Sequence, residues 1–256
     1  MEYRKEKKIG ILIVAYNHEH FIERVLDRIP YEIKKMVGEI AIFDDHSKDK
    51  TFNVATNYKI RNKIKNIQIY YNNKNLGYGG NQKKGYSYFI ERGYDIVVLL
   101  HGDGQYAPEL LPVLLKPLEE DKCDAVFGSR MLSNPLRGGM PFYKYLGNKI
   151  LTAIENIFVG MNLSEFHSGY RIYSCHALKK INYLYNTNDF HFDTEIIVQF
   201  KHNNLKIIEL PIPTYYGDEI SNVKVFKYGF NVIKVVILYK LHCLGLREDR
   251  RFLAKT

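Results

Sequence analysis

The chain is predicted to be an α/β protein built on a mostly parallel sheet with helices on both faces. Three observations predict it: short apolar runs alternate with helix-like segments, each run ends in a polar cluster, and no Pro/Ser-rich linker or internal repeat divides the chain. Near-continuous apolar strands separated by helices are the mark of parallel strands buried on both sides. In order, "KIGILIVAY" is a strand and "HEHFIERVLDRI" a helix; "EIAIFDD" is a strand, and a helix opens near Ser47 and Asp49 in "SKDKTFNVA". The strand "IQIYY" leads into the helical "GYGGNQKKGYSYFIERG", "DIVVLL" into a segment from Pro108 to Glu120, and "DAVFGS" closes this regular part. Beyond it, "NPLRGGMP" reads as a loop, "FYKYLGNKILTAIENIFVG" as a helix, "SEFHSGYRIYS" as a loop entering a strand, "NDFHFDTEIIVQFKHNN" as a helix and "KIIELPIPTYY" as a strand.

The tail from Val223 to Leu246 is apolar on a helical period and carries Lys224, Lys227, Lys234 and Lys240. No uninterrupted apolar run reaches the ~18 residues of a membrane span. The tail therefore packs on the core or lies in a membrane interface. The expected organisation is one domain over residues 1–222, followed at 223–256 by an amphipathic basic helix and tail.

The chain has 256 residues, 46% of them hydrophobic and 25% charged, which suits a globular protein with a substantial core. "MEYRKEKKIG" lacks the apolar core of a secretory leader, and Cys123, Cys175 and Cys243 form neither a disulfide framework nor a C-x-x-C pair. A reducing cytoplasmic setting is expected. The net charge of +9 points to anionic partners: nucleic acid, nucleotide phosphates or an acidic membrane surface. No nucleic-acid-binding module is recognisable in the chain, so nucleic acid is not expected.

Ligands of open α/β sheets gather at the carboxyl ends of strands. Here those ends carry Tyr16-Asn17-His18, Asp44-Asp45-His46-Ser47, Asn75 to Gly80 and His101 to Gln105. Asp44 and Asp45 either cap the next helix or accept from a nucleobase or ribose. "NKNLGYGGNQKKG" matches neither G-x-G-x-x-G nor the P-loop pattern; its glycines, Gly77 among them, allow close backbone approach to a ligand or a neighbouring segment. In "HGDGQY", residues two apart on an extended strand share a side, which would bring together His101, Asp103 and Gln105. Asp103 is a hard oxygen ligand, an amide oxygen suits the same kind of ion, and imidazole is more at home with manganese. The alternative is a polar turn. Arg130, Arg137, Lys144 and Arg171 are surface charges or, acting together, a phosphate clamp.

These clusters, in this order, resemble the family 2 glycosyltransferases, and within them the dolichyl-phosphate mannose synthase-like branch. The matching stretches are "VAYNHEHFIERVL", "IFDDHSKDKT", "NKNLGYGGNQKKG", "LLHGDGQYAPELLP", "FGSRML", "HSGYRIYS", "FHFDTEI" and "IIELPIPTYY", spread over the chain to about Tyr216. The resemblance implies a GT-A type fold whose amino-terminal half binds a nucleotide-sugar donor. It places Ala15, Tyr16, His18, Asp44 and Asp45 at the nucleotide, Asp103 as the second acid of the metal-binding D-x-D motif, and Gln105 as a further ligand. It also places Arg130 and Arg171 at phosphate, Glu165 as the acid before "SGYR", and Lys144 and Asn148 at an acceptor phosphate. His101 stands where the family has the first acid, Val14 for a common proline, His18 for a common glutamate and Lys144 for an arginine. The implied cofactor is Mn2+ or Mg2+.

The implied reaction is inverting transfer of a sugar to a polyprenyl phosphate for surface-glycan synthesis at the cytoplasmic face of a membrane. A phosphate nucleophile with a second pKa of about 6 needs no strong protein base. A lipid-linked glycan hydroxyl as acceptor would need one, with Glu165 or Asp193 as candidates. A sugar nucleotidyltransferase would carry a basic Gly-rich loop after the first strand, where "VAYNHEH" stands instead; a non-catalytic binding relative is the other alternative. The motifs leave the sugar, the base and the oligomeric state open.

Overall fold

The structure is a computed structural model, and it describes residues 6–214 and 224–253. The regular half runs β1 (Ile9–Ala15), α1 (Ile22–Arg28), α2 (Tyr31–Met36), β2 (Glu39–Asp44), α3 (Thr51–Arg61), β3 (Ile67–Tyr71), α4 (Tyr78–Glu91), β4 (Ile96–His101), α5 (Leu111–Glu119) and β5 (Ala125–Ser129). It continues with α6 (Phe142–Val159), β6 (Arg171–Ser174), α7 (Cys175–Lys180), α8 (Phe192–His202), β7 (Ile207–Pro211) and α9 (Val225–Cys243). One seven-stranded sheet has the order β3-β2-β1-β4-β6-β5-β7.

Strand alternation sorts the apolar residues into two layers. Ile9, Ile11 and Ile13 of β1 join Ile22, Val25 and Leu26 of α1 and Leu111, Leu114 and Leu115 of α5 on one face. Leu12 and Val14 join Tyr86 and Phe89 of α4, Leu178 of α7 and Ile196 of α8 on the other. α4 lies so close to β1 that a Cβ on Gly85 would fall 2.4 Å from a Leu12 methyl carbon. A smaller cluster seats α9 through Val235, Val236 and Tyr239 against Val159 of α6 and Val198 of α8.

β6 pairs antiparallel with both β4 and β5, while the other pairings are parallel. The chain leaves β5 at the carboxyl edge of the sheet, builds α6 there and re-enters at that edge, so β6 must run in reverse. β1, β2, β3 and β4 are consecutive neighbours and parallel, which sets their polar ends side by side along one crevice. α3 begins at Thr51, later than the start expected near Ser47, because the intervening residues are used to join two loops, as described below. α2 and α7 are short helices that the pattern did not announce. The boundary expected between 222 and 223 lies outside the described residues.

Candidate active site

The first wall of the crevice is made by the turns after β1 and β2, which are zipped together. The amides of Asn17, His18 and Glu19 donate to Ser47 Oγ (2.9 Å), Thr51 Oγ1 (2.7 Å) and Asp49 Oδ2 (3.0 Å). In return, the amides of Lys48 and Lys50 donate to Asn17 Oδ1 (2.8 Å) and Glu19 Oε2 (2.9 Å). Ala15 is buried at the foot of this wall, and Tyr16 and His18 are part-exposed above it. Asp44 is fully buried; its Oδ1 accepts the Ser47 amide at 2.7 Å, and its Oδ2 has no partner among the described residues. Burial raises the Asp44 pKa against the Ser47 hydrogen bonds.

Asp45 turns inward to the loop after β3. Its Oδ1 accepts from the Leu76 amide and Asn72 Nδ2, both at 2.8 Å, and its Oδ2 from the Gly77 amide at 2.9 Å. It thereby caps the start of α4 from a distant strand end, where helix amides have no partner of their own. At Gly77 the close backbone approach is to a neighbouring segment. Its amide is held by Asp45, its φ is +79°, and a Cβ would meet the Asn188 carbonyl oxygen at 2.7 Å.

The "HGDGQY" stretch does not stay extended: β4 ends at His101, and Gly104 has φ +76°. The alternation that would align His101, Asp103 and Gln105 therefore stops at the first of them. The Gln105 amide donates to Asp103 Oδ1 at 3.0 Å, making the tight turn that Asp favours. Arg28 of α1 braces it, donating to the Gly104 carbonyl at 2.9 Å and forking onto Glu109 at 2.7 and 3.1 Å. From the other side Tyr106 Oη accepts the Gly169 amide at 2.6 Å, and Tyr170 donates to the Ala107 carbonyl at 3.0 Å.

The structure places His101 among aromatic neighbours. Its ring packs edge-on to Tyr78 and Tyr106, Nε2 lies 3.3 Å from the Tyr78 hydroxyl, and Gly169 is the neighbour that leaves room for it. Burial lowers its pKa to about 4, opposed by Asp193 and assisted by Arg171. It belongs to a cluster beneath the crevice in which Tyr78 donates to Asp193 at 2.8 Å. His18 is the imidazole close to Asp103: a Cβ on Gly102 would lie 2.8 Å from His18 Nδ1, and burial lowers the His18 pKa while Asp103 raises it. Among the described residues no three His, Cys, Asp or Glu side chains converge as a metal cage. The donor chemistry of Asp103 and Gln105 nonetheless fits a hard divalent ion that takes its other ligands from diphosphate and water.

On the far side of the crevice, Arg130 follows β5. Its amide donates to Glu165 Oε2 at 2.8 Å, its guanidinium to Glu165 Oε1 and to the His167 carbonyl (3.2 Å). Asn148 of α6 donates to the same Glu165 Oε1 at 2.8 Å. Burial would raise the Glu165 pKa, but Arg130 and Asn148 outweigh it and hold the carboxyl below its ordinary value. A buried, ionised, fully engaged carboxylate aims Arg130 and is unsuited to work as a base. Lys144 sits one turn before Asn148 on α6.

Arg171 is corrected from phosphate contact to core pin. It is 1% exposed, and its guanidinium donates to the carbonyls of Ser168 (2.8 Å), Phe166 (2.7 Å) and Asp193 (3.3 Å), with the Asp193 carboxylate 3.9 Å away. Sequence reasoning missed Arg28, Tyr78 and Glu209, whose carboxylate accepts from the Ser164 and Glu165 amides at 2.7 and 3.1 Å. It also missed the buried row in which Glu155 lies 3.1 Å from His167 Nε2, and His167 Nδ1 2.9 Å from the Tyr228 hydroxyl. A tyrosine between the glycines of "LGYGG" was the one available signal.

A doubly covered sheet with one reversed strand, and a crevice at the strand carboxyl ends lined by nucleotide-type turns and an acid-bearing D-x-Q turn, defines a glycosyltransferase of GT-A architecture. The model described as Glycosyl transferase family 2 matches residues 10–182, and the chain belongs to that family. It is 29% identical over 251 residues to UDP-N-acetylglucosamine--dolichyl-phosphate N-acetylglucosaminyltransferase of Methanococcus voltae, covering 92% of this chain and 97% of the relative. It is 25% identical over 218 residues to undecaprenyl-phosphate mannosyltransferase of Micrococcus luteus, covering 85% and 87%. Glucosyl-3-phosphoglycerate synthase from Mycobacterium tuberculosis, solved with Mg2+ and uridine-diphosphate, shares the fold at TM-score 0.67 and 18% identity, over 95% of this chain and 81% of that one.

Proposed function

We propose that the chain moves a sugar from a nucleotide-sugar donor to a polyprenyl phosphate with inversion at the anomeric carbon, for glycan synthesis at a membrane surface. The observation that carries this reading is that the Asp103–Gln105 turn after β4 and Arg130 after β5, which Glu165 and Asn148 of α6 hold in place, leave the same carboxyl edge of one sheet. The relatives named for dolichyl- and undecaprenyl-phosphate transfer support the acceptor class.

In this reading Ala15, Tyr16 and His18 face the nucleotide, with Asp44 and Asp45 holding the wall behind it. Asp103 and Gln105 would hold Mg2+ or Mn2+, which supplies charge neutralisation for the departing diphosphate. Arg130 and Lys144 receive the acceptor phosphate and place its oxygen behind the anomeric carbon. That oxygen is already anionic near pH 7, so positioning and electrostatics carry the step. A hydroxyl acceptor is less favoured: Glu165 is spent on Arg130, and Asp193 accepts the Tyr78 proton donor beside Arg171.

The test is transfer of labelled sugar from a panel of nucleotide sugars to purified polyprenyl phosphate, followed by extraction into organic solvent. Label in the organic phase with at least one donor, dependent on Mg2+ or Mn2+, is expected. Transfer only to glycan hydroxyls, or none with any donor, overturns the reading.

A further inference from the structure

We infer that His167 is a positioning residue for Arg130, and that Glu155 of α6 and Tyr228 of α9 hold it in that role. The inference rests on the reading of Arg130 as the group that receives the acceptor phosphate, and it adds α9 to the parts on which that group depends. The loop entering β6 is fastened residue by residue. Glu209 accepts the amides of Ser164 and Glu165, Arg171 donates to the carbonyls of Phe166 and Ser168, and Tyr106 accepts the amide of Gly169. His167 serves a different partner: its carbonyl accepts from Arg130 Nη2 at 3.2 Å. What orients that peptide is the His167 side chain.

The imidazole is 9% exposed and lies between two helices. Nδ1 is 2.9 Å from the Tyr228 hydroxyl, with the rings edge to face, and Nε2 is 3.1 Å from Oε2 of the fully buried Glu155. Thr194 of α8 donates to the other Glu155 oxygen at 3.2 Å. The Nε2–Oε2 approach is ionic rather than a well-angled hydrogen bond, and neither atom has a hydrogen-bond partner of its own among the described residues. A carboxylate opposite Nε2 puts the ring proton there and leaves Nδ1 to accept from Tyr228. Burial, with Glu155 and Asp193 nearby, raises the Tyr228 pKa, so the hydroxyl keeps the proton it donates. Apolar side chains of similar volume would fill this space at less desolvation cost. The row is therefore of use for its direction: it fixes the ring, and with the ring the peptide that aims Arg130. Glu165 grips the same guanidinium two residues earlier in the loop and is itself held by Asn148 of α6.

Four variants separate hydrogen bonding from packing. Tyr228→Phe removes the proton given to Nδ1. His167→Asn keeps an acceptor near the place of Nδ1, His167→Gln keeps a donor near the place of Nε2, and His167→Leu keeps neither. With geranyl phosphate as acceptor, Tyr228→Phe and His167→Leu are expected to raise KM about three- to tenfold, while kcat and nucleoside-diphosphate binding by calorimetry stay within about twofold of the native chain. His167→Asn and His167→Gln should each recover part of the loss. A second readout needs no turnover: the Arg130 Nε–H resonance in 15N spectra, assigned by its disappearance in Arg130→Lys, should move or broaden in Tyr228→Phe and His167→Leu. Should His167→Leu melt early, Tyr228→Phe, which deletes one oxygen, carries the test alone. An unchanged KM in Tyr228→Phe, an Arg130 resonance unmoved by it, or a stable His167→Leu that matches the Asn and Gln variants overturns the inference. If no donor gives transfer to any prenyl phosphate but the resonance responds, the proposed function falls and the positioning of Arg130 stands; transfer with neither KM nor resonance altered does the reverse.

Discussion

Single residues divide here into those that meet substrate and those that hold them in place. In the proposed reaction donor handling depends on Asp103 in its glycine-flanked turn, and Asp103→Ala is expected to reduce transfer by on the order of 100-fold or more, with loss of the metal dependence of nucleotide-diphosphate binding measured by calorimetry. Glu165→Gln should act differently. It leaves the donor side intact but releases Arg130, so KM for the lipid phosphate rises well before donor affinity changes. His101 makes a statement about pH. Its folded pKa, about 4, lies below the unfolded value of about 6.5. The unfolded chain takes up the proton first, so this residue's contribution is full above pH 6.5 and is lost progressively as pH falls toward 4. Urea midpoints should decline across that window, and the decline should shrink in His101→Asn; equal slopes in both proteins would remove His101 as its source.

Elements are held by contacts that cross long stretches of sequence. α4 begins where it does because Asp45, at the end of β2, accepts the amides of Leu76 and Gly77. Asp45→Asn keeps the shape but replaces one of the two accepting oxygens with a donor, and should cost about 1.5–3 kcal/mol in urea unfolding. The Asp103 turn likewise depends on Arg28, one helix away. Arg28→Ala should loosen that turn and raise the Mg2+ or Mn2+ concentration needed for half-maximal transfer, while Arg28→Lys recovers little because the fork onto Glu109 is lost. Neither pairing has a local sequence signature. Period and composition announce strands and helices, whereas a carboxylate that caps a helix 30 residues away is a product of strand order.

At the scale of the whole molecule, the parallel sheet, its two apolar layers and the crevice at the ends of β1 to β4 were legible, since all three follow from alternation and from polar residues placed after apolar runs. The grouping of Arg130, Glu165 and Asn148 became visible only with the fold, because it joins a loop, a turn and a helix. Arg171 was misread for the same reason: an arginine in "HSGYR" reads as a surface cation until a reversed strand buries it between β4 and β5, against Asp193. Removing it should be severe. Arg171→Met leaves Asp193 without its ionic partner, and a loss of about 3–5 kcal/mol in stability is expected from chemical denaturation. The reversal of β6 has one more effect. Everything between Ser129 and Arg171 departs from and returns to the same edge of the sheet, so that stretch is one long excursion between two neighbouring strands. Loop lengths within it can change without altering the register of β1 to β4, whereas Gly169, whose amide is bound by Tyr106, ties its end to the Asp103 turn.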